Sequence, residues 1–203
     1  MKNTFSKGFT LVELLIVITI LAALAAAVVV VLNPAELLAQ ARDAQRLSDM
    51  TTMRDSINLF VTQIAAPNLC FQAGGCTGQC TIAVPAGSGP FAASAACPQP
   101  AVPANLRFID GNGWISVRFL DMPGGSPIAT LPIDPVNAGS FFYAFRGTAV
   151  RTFELATRLE SIRHRGMMAV DGGNSNNCTG AHVDQGATPA ASCYFEVGTN
   201  LAL

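Results

Sequence analysis

Apolar positions are continuous at the start of the chain and periodic after it. From Phe9 to Leu32 the only polar side chains are Thr10, Glu13 and Thr19. The purest part, Leu14 to Leu32, would rise about 28 Å as a helix, close to the hydrocarbon thickness of a bilayer. It contains no proline or glycine. The pattern predicts a single membrane-spanning helix. Lys2 and Lys7 precede it, so the positive-inside rule leaves the leader in the cytoplasm and the remainder outside. Asn33-Pro34 ends the run, and Pro34 cannot donate to the helix ladder, so a kink or local loosening is expected there.

Helical spacing resumes at Ala35. Leu37, Ala41, Ala44, Leu47, Met50, Met53, Ile57, Phe60 and Ile64 recur at threes and fours and form one apolar stripe. Arg42, Asp43, Arg46, Asp49, Arg54 and Asp55 fall on the other faces, where Asp43/Arg46 and Arg46/Asp49 are spaced for weak pairing. The stripe predicts packing on the chain's own sheet; a coiled coil with a partner helix is the less favoured alternative. The pattern stops near Ala65-Ala66-Pro67. Six prolines between 67 and 103 then forbid long regular elements. Strand signals follow at 106–109, 114–120, 141–145, 153–159 and 193–197, separated by turn chemistry such as Asp110-Gly111-Asn112-Gly113. Three or four antiparallel strands against one helix predict an α+β head.

The chain has 203 residues and a formal net charge of −1. The part beyond the apolar run is large enough for one core and too small to demand two. Six cysteines, Cys70, Cys76, Cys80, Cys97, Cys178 and Cys193, all follow the predicted span. An even count on the outer side of a membrane reads as disulfides, with connectivity left open by the sequence. Proximity favours Cys178 with Cys193 and places the other four within the irregular stretch. Zinc at Cys76-x-x-x-Cys80 with Cys70 and Cys97 is the disfavoured competitor, since no histidine lies nearby. The only histidines, His164 and His182, sit in no nucleophile motif, and no phosphate loop or dinucleotide fingerprint is present. No catalytic residue is assigned. Arg158, Arg163, His164 and Arg165 make a basic cluster. It is a thin case for nucleic acid; a solvated strand end or a pairing site for a neighbour's acids is preferred.

The segment Lys7-Gly8-Phe9-Thr10-Leu11-Val12-Glu13-Leu14-Leu15-Ile16-Val17-Ile18 resembles the processing and methylation segment of type IV pilins and pseudopilins. An ordinary signal peptide cut near Ala25-Ala26-Ala27 would leave Val28–Leu32 as a greasy new terminus, and Glu13 interrupts its apolar region. The resemblance implies that a prepilin peptidase cuts between Gly8 and Phe9 and methylates the new amine of Phe9. Gly8 lacks a side chain, which suits close approach to the backbone. Glu13 would then neutralise the terminal amine of a neighbouring subunit, an arrangement that makes two charges in low dielectric less costly than either alone. Phe9, Glu13 and Pro34 are therefore the candidate assembly residues. The alternative for Glu13 is a membrane-edge glutamate that snorkels to the interface.

Leu131-Pro132-Ile133-Asp134-Pro135 is similar to a segment of major pseudopilins that connects strands of the sheet. In pseudopilins a nearby loop holds calcium, which makes Asp134, Asp171, Asn174 and Asn176 candidate ligands. No glutamate closes an EF-hand loop, and a solvated Asx-rich turn is preferred, so no cofactor is assigned. The expected organisation is a leader over 1–8, a membrane and filament-core helix over 9–34, an amphipathic helix over 35–66, an irregular loop over 67–105, and a sheet head over 106–203 with a disulfide-stapled C-terminal loop. The expected function is that of a structural, major pilin-like subunit, polymerised with its own copies. Its other partners would be the prepilin peptidase, an inner-membrane assembly platform and lipid. It would be a single-pass inner-membrane precursor and an extracellular filament when assembled. A major pseudopilin of a type II secretion system is the first alternative, and a minor tip pilin binding DNA or a surface is the second.

Overall fold

The computed structural model describes residues 8–70, 78–85, 89–91, 97–99, 103–173 and 193–201. The chain forms two compact units, one ending at Leu38 and one beginning at Ala39. In the first, α1 runs Leu11–Leu32 and ends on Asn33, whose φ of 40° is left-handed. Asparagine tolerates that conformation better than most residues. A second helix, α2 (Pro34–Gln63), starts at once. Asn33 serves both elements: it terminates α1, and its carbonyl accepts from the amides of Glu36 and Leu37. Pro34 occupies the first position of α2, where its missing amide costs nothing. The expected kink is thus a full break between two helices.

In the second unit, α2 lies against a four-stranded antiparallel sheet of order β1-β2-β3-β4. The strands are β1 (Gln79–Cys80), β2 (Tyr143–Gly147), β3 (Phe153–Thr157) and β4 (Phe195–Gly198). Phe145, Leu155 and Val197 stand opposite one another across three strands. They face the main core, with Met50, Met53, Ile57 and Phe60 of α2. On the other face Ala144 and Ala156 meet Cys80, Cys97, Val84, Phe91, Phe142 and Tyr194. Burial on both faces explains why all of β3 is buried and why its sequence does not alternate cleanly. The expected α+β fold is present.

Two expected strands are absent. Residues 106–109 and 114–120 run beside each other with only a few cross-links: the Trp114 amide to Leu106 O, the Phe119 amide to Ile109 O, and an isolated bridge between Asp110 and Arg118. Trp114, Ile115, Ser116 and Val117 are buried one after another. A strand would have sent alternate residues to opposite faces. This segment instead fills the core as irregular backbone, anchored by the Trp114 indole, which donates to Pro132 O at 2.8 Å. Conversely, β1 lies inside the stretch expected to be irregular. It pairs with β2 through only two residues, and the adjacent Val84–Cys97 bridge and Cys80–Cys97 disulfide hold the stretch beside it.

The burial of α2 also differs from its apolar stripe. Ala41 and Ala44 are exposed, whereas Asp43 and Arg46 are completely buried. Positions 43, 46, 50, 53, 57 and 60 share the inward face, and its first turn carries a charged pair instead of apolar side chains. Arg46 grips Asp134 with two nitrogens, at 2.7 and 3.1 Å, and Asp43 with a third at 2.8 Å. The Phe141 ring lies 4.8 Å from the guanidinium carbon. Burial acts to strip the Arg46 proton, but the carboxylates of Asp134 and Asp43 outweigh it and hold the guanidinium more firmly charged. Asp43 also accepts from the amides of Glu160 and Ser161. The expected Arg46/Asp49 pair does not form; Asp49 instead accepts from the Tyr143 hydroxyl at 2.7 Å.

Candidate processing and assembly site

Thr10 caps α1 in extended conformation, and its hydroxyl accepts from the Glu13 amide at 3.3 Å. Glu13 Oε2 reaches back and accepts from the Thr10 amide and the Thr10 hydroxyl, each at 2.9 Å. This is a reciprocal capping box, which satisfies amides that the helix itself leaves without partners. The spacing Thr-x-x-Glu before an apolar run is its sequence sign, and it adds Thr10 to the residues that matter at this terminus. Glu13 is therefore held at the first turn by its own chain, with its carboxylate bonded to Thr10 at the helix start.

Phe9 is exposed, and a Cβ at Gly8 would meet nothing within 4 Å. Gly8 also lacks the left-handed φ that would demand glycine. Neither packing nor backbone conformation of this chain requires a glycine there.

Along α1 the apolar side chains are exposed around the whole circumference, from Leu11 to Leu32 among those described. The lone hydroxyl of the interior, Thr19, is bound to Ile16 O at 2.8 Å, so it presents little polarity outward. Residues Leu11–Val29 are long and apolar enough to cross a bilayer. A helix greasy all round requires apolar surroundings, either lipid or packed protein.

A family model for the prokaryotic N-terminal methylation motif matches residues 4–29. The chain carries the leader signature of type IV pilins and pseudopilins. Its fold, a long apolar N-terminal helix followed by a second helix and a small antiparallel sheet, is pilin-like. No curated protein and no solved structure matches the chain.

The remaining candidates separate spatially. Cys80 and Cys97 form a disulfide within the irregular stretch, and Cys70 and Cys193 are also disulfide-bonded. Cys76 and Cys178 lie outside the described residues, as does the expected Cys178–Cys193 pairing. Asp134 is committed to Arg46 and to the amides of Val136 and Asn137. Asp171 accepts from the amides of Gly173 and Glu196, tying a turn to β4. Asp134 is thus a buried anion, and Asp171 is half-buried in a turn held to β4. Asn174 and Asn176 lie outside the described residues. Among the described residues no three His, Cys, Asp or Glu side chains are grouped to hold a metal ion. The basic cluster is also split: Arg158 is buried at the end of β3, whereas Arg163 is exposed on a short helix, α3 (Ile162–Arg165).

Proposed function

We propose that this chain is a structural subunit of a type IV pilus-type filament, polymerised through α1 after removal of residues 1–8. The observation that carries the proposal is the methylation signature joined to a helix whose apolar side chains are exposed among the described residues. A precursor satisfies that surface with lipid; a filament satisfies it with other copies of α1. The second exchange replaces acyl chains with packed side chains and lets the assembly persist in water. Gly8, which this fold does not itself require, is read as the residue a peptidase demands. Glu13 sits at the start of the helix, where a neighbour's Phe9 amine would meet a counter-charge. Transfer to that amine would loosen the capping box, whose own contribution is only about 1 kcal/mol. The reading assigns no catalysis to the chain.

The segment Leu131–Pro135 favours a secretion pseudopilin as the second reading. Deleting the gene separates the two, since one outcome removes surface filaments and the other blocks protein export.

The chemistry of amines offers a clean test. Lys2 and Lys7 are the only lysines, so a chain beginning at Phe9 has one primary or methylated amine, its own N-terminus. Filaments sheared from cells should yield an N-terminal peptide starting at methylated Phe9, with no amine-reactive label elsewhere on the subunit. Glu13→Ala should leave the subunit in the membrane and abolish filaments. Sheared material retaining Lys2 and Lys7 would sink the reading.

A further inference from the structure

A cavity of about 280 Å³ opens between α2 and the segment that leads to Asp134. It lies wholly within the unit beginning at Ala39. Asp49 of α2 and Arg107 line it together with Thr130. Ile128, Pro132 and Ile133 supply an apolar wall, and the two isoleucines are packed against the main core. The volume falls below the roughly 300–1,000 Å³ of a site for drug-sized molecules, so it suits a smaller solute. The filament reading uses none of these residues.

Two opposite charges meet this cavity without satisfying each other. Asp49 is half-buried, and its Oδ2 accepts from the Tyr143 hydroxyl at 2.7 Å. Among the described residues no donor is bonded to its Oδ1. Arg107 is exposed, and its hydrogen bond runs from Nη1 to Leu131 O at 3.4 Å, which leaves Nε and Nη2 available. The two form no ion pair, yet the arginine is near enough to act on the carboxylate. Burial raises the Asp49 carboxyl more than the Tyr143 hydrogen bond and the Arg107 charge lower it. A partly dehydrated carboxylate gains from a cation brought into contact, and an arginine fork gains from a carboxylate.

An α-amino acid carries an ammonium and a carboxylate on one carbon, and so offers both missing partners in a small volume. We propose that this cavity binds a free α-amino acid with a branched apolar side chain. The ammonium donates to Asp49 Oδ1, the carboxylate accepts from Arg107 and the Thr130 hydroxyl, and the side chain rests on Ile128, Pro132 and Ile133. A purely anionic solute would face Asp49 without a counter-charge, and a purely cationic one would face Arg107 in the same way. A neutral sugar would pair with neither charge and would gain nothing from the isoleucine wall. Peptides hold their two charges at opposite ends, which separates the groups this cavity brings together.

The test is equilibrium dialysis of radiolabelled L-leucine against the full chain in detergent micelles, with micelles alone as the blank. Binding should be saturable, with a Kd below about 1 mM. Leucinamide lacks the carboxylate, isocaproate lacks the amine and glycine lacks the side chain; each should compete about tenfold more weakly than leucine. Arg107→Gln should weaken leucine about tenfold and bring leucinamide level with it. That change of selectivity is one that a general loosening of structure would not produce. Asp49→Asn should do the same for isocaproate, with the fluorescence of the buried Trp114 showing that the core is kept. No saturable binding up to about 10 mM would overturn the proposal. Equal competition by leucine and leucinamide in the parent chain would do so too, as would unchanged selectivity in Arg107→Gln. Leucine affinity that falls as the chain is concentrated would assign the cavity to a second copy and overturn the proposal as well.

Discussion

Arg46 is the residue on which the second unit is most dependent. Its guanidinium lies at zero exposure with three carboxylates around it, two of them equally buried. Removing one partner of such a set leaves charge without compensation in low dielectric, which costs about 3–5 kcal/mol. Arg46→Met should therefore destabilise the chain by that amount, measured by urea unfolding in detergent with the buried Trp114 as reporter. An exposed arginine such as Arg54 paired with Asp55 should cost less than about 1 kcal/mol when replaced. Glu160 titrates differently. Its hydrogen bond to Arg42 is the main cause holding its carboxyl below the ordinary glutamate value of 4.5. A carboxyl depressed in the folded state stabilises above its unfolded value, and the contribution disappears as pH falls through the folded one. Glu160→Gln should accordingly be destabilising at pH 7, and the difference from the parent chain should shrink as the pH drops below 4.5. A constant difference across that range would contradict the assignment.

At the scale of elements, the helices were legible and the irregular parts were not. Length and continuous apolarity fixed α1, and threefold and fourfold spacing fixed α2, because helical burial follows a local period. The same reasoning misplaced Asp43 and Arg46, which the period puts on the inward face but whose charge argues for water. Only Asp134 and Glu160, 88 and 114 residues away from Arg46, reverse that argument. Strands β2, β3 and β4 were recoverable from their aromatic and branched composition. Residues 114–120 carried an equally good alternation, yet they lack the partner ladder that would make them a strand. The two-residue β1 carried no strand signal at all and exists because a disulfide and a bridge bring it beside β2. Cys80 and Cys97 are separated by 17 residues, a loop whose closure is worth about 3 kcal/mol on the chain-entropy model. Replacing both with serine should lower the unfolding free energy by about that much and speed proteolysis between 80 and 97.

For the whole molecule, the division at Leu38–Ala39 separates an element in need of apolar surroundings from a unit that already has its core. Among the described residues, the fully buried members of the main core run from Met50 to Leu155. A chain beginning at Ala39 should therefore remain folded in water without detergent and melt within roughly 5 °C of the full chain, read by circular dichroism. Failure to fold would mean that α1 or the first turn of α2 contributes stability that the core does not reveal. The sequence by itself determined the terminal pattern: a methylation motif over residues 4–29, which acid interrupts the apolar run, and how long that run is. Those are properties of consecutive residues, and an enzyme or a bilayer reads them in order. Tertiary structure alone decided that Asp134 belongs to an arginine, that Arg158 is buried while Arg163 is exposed, and that Glu160 is tied to Arg42. These depend on residues far apart in the chain, and the free energy of a buried charge is set by whichever groups the fold brings within a few ångströms of it.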